Sequence, residues 1–178
     1  MTPRLTSLHF FYLHPGESYE AEYAHCLSAL IANVNAAAEF NISVDMHVHC
    51  YPLLQTKGSV EALPAPDRAR LRSQVISSHG IVVLAPPVFT FCRARHGAKG
   101  PPILRNSSWL RGCPSLRPGD QTKVDAENII LDFVSDLAQD AAQAGCIILL
   151  EGPEDLGRRF RGTPASIWRW PKLLQNVA

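Results

Sequence analysis

The run Ile81-Val82-Val83-Leu84-Ala85 constrains the fold more than any other stretch, because five consecutive apolar residues leave no polar face. A strand with one wet face alternates apolar and polar residues. A strand apolar throughout needs cover on both faces, as in a parallel α/β sheet. Leu8 to Leu13 and Cys146 to Leu150 read the same way, as buried strands, and Ile42 to Val48 reads as a further strand. Between them lie helical periodicities. Ser18 to Phe40 keeps Leu27, Leu30, Ile31, Val34 and Ala38 in step, with Ser18 as cap. A second helix opens at Pro66-Asp67, carries Leu71, Val75 and Ile76 on one side, and stops at Gly80. A third is capped by Asp120, carries Val124, Ile130, Phe133, Val134, Leu137 and Ala141, and ends at Gly145. Strands alternating with helices predict an α/β, Rossmann-like doubly wound domain, with a mostly parallel sheet and helices on both faces. At 178 residues and 46% apolar content, one domain over 1–178 can bury a full core.

The five cysteines (Cys26, Cys50, Cys92, Cys113, Cys146) are scattered and form no C-x-x-C pair, which argues against a disulfide framework or a zinc knuckle. No stretch is apolar enough to span a membrane, and the first residues lack the order of a signal peptide. The expectation is an intracellular protein, cytoplasmic or nuclear, without a membrane partner. Net charge is +1, but it is unevenly spread. Seven basic side chains and one acid, Asp120, lie between Arg93 and Lys123; five basic residues and no acid lie between Arg158 and Lys172. A basic face of this kind attracts phosphate, so a nucleotide or nucleic acid is the expected partner.

In doubly wound sheets, ligands sit outside the carboxyl ends of the strands. Three segments fall there: His14-Pro15-Gly16, Pro86-Pro87-Val88 and Glu151-Gly152-Pro153. The stretch from about Phe89 to Gly119, rich in Pro, Gly and Arg, is too long for a plain connection and reads as functional or disordered.

The order of these segments resembles the cytosine-5 DNA methyltransferases, and more closely short methyltransferase-like domains with a Pro-Pro-Cys-Ser-Thr-Phe-Ser-Arg-Ala-Arg loop. Pro86, Pro87, Thr90, Phe91, Arg93, Ala94 and Arg95 match that loop. Pro102, Leu104-Arg105, Arg111-Gly112 and Pro114 continue the match, and Glu151, Pro153 to Gly157 and Pro164 to Trp168 complete it. The resemblance implies a flipped-out base, a cysteine thiolate that attacks its ring, a glutamate on the ring nitrogen, and S-adenosylmethionine as methyl donor. Here Val88 stands at the cysteine's position and Gly152 at that of the asparagine beside the glutamate. The first turn carries Gly16 alone, stiffened by Pro15, with His14 and Glu17 lining that corner, and no acid closes Ile42 to Val48. These departures predict a degenerate methyltransferase-like domain that binds a nucleotide or nucleic acid without covalent cytosine methylation. Glu151 and Cys92 are the candidate catalytic residues, with Arg93 and Arg95 able to lower the thiol's pKa. His14, Gly16, Pro86, Pro87, Thr90, Arg93, Arg95, Arg105 and Arg111 are the candidate ligand-binding residues.

Two alternatives stand beside this reading. In the first, a divergent enzyme uses Glu151, its pKa raised by burial, as acid or base. Alternatively, such an enzyme uses a metal at Asp45, His47 and His49, which strand alternation puts on one face. In the second, the cleft is vestigial and the domain binds a protein partner. Trp168 and Trp170 are expected to cover the open edge of the sheet.

Overall fold

The computed structural model describes residues 4–14, 42–53, 62–153 and 157–177. The strands are β1 (Arg4–His14), β2 (Ile42–Pro52), β3 (Ile81–Leu84) and β4 (Ile147–Leu150); the helices are α1 (Ala65–Ser78), α2 (Pro118–Gln143) and α3 (Pro171–Val177). All pairings are parallel and the strand order is β2-β1-β3-β4. The chain therefore steps outward from β1 to β2, then returns past β1 to lay down β3 and β4. That reversal, between β1 and β3, is the switch point at which doubly wound sheets open a crevice.

The apolar runs behave as strands because both faces of the central pair are buried. Phe11, Leu13, Val82 and Leu84 pack against Leu71 and Val75 of α1 and against Ile130, Val134, Leu137 and Ala141 of α2. On the opposite face Phe10, Tyr12, Val83 and Ala85 form a second buried cluster. Both α1 and α2 pack on the first face; the helix expected over Ser18 to Phe40 lies outside the described residues. A third cluster joins Phe91, Leu131, Ala165, Ile167, Trp170 and Leu173, with Leu150 of β4 at its margin.

The element boundaries follow local chemistry. Pro66 falls in the first turn of α1, and Pro118 and Asp120 in that of α2, where a missing N–H costs nothing and a carboxylate suits the helix dipole. Gly80 is required by packing: a Cβ there would run into the carbonyl oxygen of His9 as β3 docks beside β1. Strands β1 and β2 extend further than the apolar runs suggest, because β2 pairs with β1 along its whole length.

One expectation is corrected. β4 is buried on one side alone: Ile148 and Leu150 face α2, while Ile147 (60% exposed) and Leu149 (52%) lie open. Continuous hydrophobicity in β4 therefore does not mean two covered faces. The tail instead packs below its end, with Trp170 buried against Leu131, while Trp168 stays exposed and donates its Nε1 to the Pro153 carbonyl at 2.8 Å.

Candidate functional site

Two loops leave the carboxyl ends of neighbouring strands, one after β3 and one after β4. The Ala85 N–H donates to the Leu13 carbonyl (2.8 Å) and the Glu151 N–H to the Leu84 carbonyl (2.9 Å), so each exit is tied to the adjacent strand. Pro86 and Pro87 are buried, and having no N–H they end β3 without leaving donors unpaired. Val88 is half-buried and packs with the Phe91–Trp170 cluster. Cys92 is exposed between two short 3-10 turns, Phe89–Phe91 and Arg93–His96. Glu151 is exposed, which corrects the expectation that the end of its strand buries it. His14 closes β1 opposite Pro52. Its side chain, and all of Gly16, lie outside the described residues.

The long arginine-rich stretch is neither disordered nor open. Its centre is Arg105, 1% exposed and fully engaged. Its Nε donates to Thr90 Oγ1 (2.5 Å), Nη1 to Asn128 Oδ1 (2.8 Å) and to the Leu110 carbonyl, and Nη2 to the Val124 carbonyl (2.9 Å). The guanidinium carbon lies 4.5 Å from the centre of the Phe91 ring. The buried Glu127 receives the Thr90 N–H at 3.0 Å and the Thr90 hydroxyl, and stands 3.8 Å from Arg105 Nη2. The hydroxyl of Thr90 accepts from the arginine and donates to the carboxylate, so it bridges a charge pair. Burial outweighs attraction in both groups: it pulls the guanidinium down to about 10, against the pull of Glu127, and pushes the Glu127 carboxyl up, against the bonds from Thr90 and the charge of Arg105.

This network corrects two expectations. Arg105 and Thr90 are enclosed and cannot meet a ligand's phosphate; they fix the loop that follows Pro87. Glu127 was missed, although its place on the apolar stripe Val124–Glu127–Leu131 marks it as a carboxylate turned inward. Arg111 is also occupied: Nη2 bonds both oxygens of Asp132 (2.7 and 3.0 Å) and the guanidinium lies 4.7 Å from the Trp170 ring centre. The indole Nε1 of Trp170 donates to the same Asp132 at 3.1 Å.

Arg161 joins its segment to the loop after β3. The Arg161 N–H donates to the His96 carbonyl (3.0 Å) and its Nη1 to the Gly100 carbonyl (3.0 Å). The buried His96 reaches the carbonyls of Arg105 (3.2 Å) and Arg161 (3.4 Å). The Ser107 N–H donates to the Thr163 carbonyl (3.1 Å). The two basic segments, far apart in sequence, are therefore hydrogen-bonded to each other where residues 96–107 meet residues 161–163. Arg93 and Arg95 are half-buried there, each with a buried Nε lacking a hydrogen-bond partner, and Arg95 Nη1 donates to the Pro102 carbonyl (2.9 Å). Lys99, Arg158, Arg159 and Arg161 are exposed.

The histidines of β2 do not converge. His47 and His49 share a sheet face with His9, the register partner of His47, and the rings stack at 5.0 and 5.5 Å from His9. His9 Nδ1 and His49 Nε2 are 3.2 Å apart, within hydrogen-bond distance. Burial and the two neighbouring imidazoles push the His49 pKa down. Among the described residues no three donors are arranged to hold a metal ion; the Asp45 side chain lies outside them. No helix among the described residues is long and apolar enough to cross a membrane.

Comparison of the chain with family models, with curated proteins and with solved structures found no match. The parallel α/β architecture is a property of the chain itself.

Proposed function

We propose that this is a noncatalytic, nucleotide- or nucleic-acid-binding α/β domain, built on the plan of a cytosine-5 methyltransferase but without the covalent step. The observation that carries the reading is the union of the two basic segments through Arg161, His96 and the Ser107–Thr163 bond at the carboxyl ends of β3 and β4. Arg93, Arg95, Lys99, Arg158, Arg159 and Arg161 form that surface, and the two segments hold a single acid, Asp120. Phosphate contact is the chemistry such a surface performs best. Support for the missing covalent step is Val88 itself, an apolar side chain with no nucleophile, packed half-buried against the Phe91–Trp170 cluster.

The test is fluorescence anisotropy of labelled oligonucleotides across a salt series. Affinity should fall as salt rises, with a log–log slope of about −0.7 per phosphate neutralised on a single strand. Replacing Arg158 and Arg159 together by glutamine should flatten that slope. Salt-insensitive binding, or none, overturns the proposal. Transfer of a methyl group from S-adenosylmethionine to cytosine, followed by mass spectrometry of the oligonucleotide, would overturn its noncatalytic part.

A further inference from the structure

Two tight turns on the basic surface end in exposed aromatic rings. In the first, Arg159 and Gly162 exchange backbone hydrogen bonds (2.9 and 3.1 Å), and Gly162 takes φ +101, a conformation open chiefly to glycine. The turn so closed carries Phe160 at 84% exposure, between Arg159 and Arg161. In the second, Asn106 and Trp109 form an isolated bridge, tightened by the Asn106 side chain, which accepts the N–H groups of Ser108 (2.9 Å) and Trp109 (3.0 Å). Trp109 is 51% exposed. The Ser107–Thr163 bond joins the two turns directly, and Arg161 roots the first in the carbonyls of His96 and Gly100.

A phenyl ring held in water on a rigid turn gives up the gain that burial would bring. Rings of this kind beside arginines suit a flat, apolar partner carrying negative charge at its edge. Bases with their phosphates have that form, and stacking accepts any base because each has a π face. A duplex hides those faces. We propose that Phe160 and Trp109 are a stacking platform for unpaired bases, so that the ligand of this surface is single-stranded nucleic acid. The inference rests on the phosphate-binding reading above and adds to it the state of the strand and the residues that read it.

The test measures binding of a labelled oligothymidylate and of a duplex of equal length, at the same salt, by anisotropy and by quenching of tryptophan fluorescence. Single strands should bind more tightly. Phe160→Ala should weaken that binding by between about fivefold and about a hundredfold, the range that base stacking spans. It should leave the salt slope unchanged, since the ring carries no charge, and Phe160→Trp should restore affinity. Trp109→Phe should remove most of the quenching while retaining binding. Because Phe160 stands clear of the core, its variants should keep the native circular dichroism. Equal binding of both nucleic acids with no effect of Phe160→Ala overturns the platform and leaves phosphate binding standing. Absence of binding to either overturns both readings. Binding to phosphatidylserine vesicles, with none to oligothymidylate, overturns both in favour of a membrane surface.

Discussion

At the scale of single residues, the molecule turns on how it encloses charge. Arg105 and Glu127 are held in place by Thr90 and by backbone carbonyls. Removing one member strands the other in the core. Glu127→Ala is therefore expected to cost about 3–5 kcal/mol in urea unfolding, the range for breaking a buried pair, and Glu127→Gln less, because the amide can still accept from Thr90. The pH dependence follows from the raised pKa of Glu127. Between its ordinary value and the raised one the folded chain holds a proton that the unfolded chain has released. The contribution to stability is thus greatest below the ordinary value and is lost as pH rises through the raised one; Glu127→Gln should remove that slope. His49 gives the other sign, since its pKa is lowered by burial and by His9 and His47. Its contribution is present above pH 6.5 and is lost as pH falls toward the lowered value. His49→Phe, which keeps a ring stacked on Phe11, should flatten stability across that window in urea titrations at graded pH.

At the scale of elements, hydrophobic period and turn residues make most of the sheet legible. The positions of α1, α2, β3 and β4 follow from Leu71 and Val75, from the long stripe of α2, and from the glycines and prolines between them. The exposure of β4 is not legible, because a strand at the edge with one open face can be as apolar as a central one. Its Ile147 and Leu149 form a ready template for association. Leu149→Lys should reduce concentration-dependent aggregation, read by light scattering, while changing stability by less than about 1 kcal/mol. The candidate site is harder to read than the sheet. A run of arginines looks alike whether it is solvated, paired or buried. Arg105, Arg111 and Arg161 differ through partners on α2 or on the loop after β3, which no local pattern specifies.

At the scale of the whole molecule, the described residues separate stability from recognition. Apolar clusters on α1, α2 and the tail hold the sheet, and the basic surface stands beyond the strand ends. A net charge of +1 therefore misstates how the protein meets a polyanion, because charge is sorted by position. The parallel order β2-β1-β3-β4 also sets a timetable. During synthesis β1 and β2 leave the ribosome long before β3, yet β1 is the strand against which β3 must dock. Its inner edge waits unpaired until Gly80 emerges, and Phe91, Leu131 and Leu150 wait longer still, for Trp170. The nascent chain is thus most in need of chaperone shelter between those two events, and a ribosome stalled there should present a sticky, protease-sensitive intermediate that the finished protein does not.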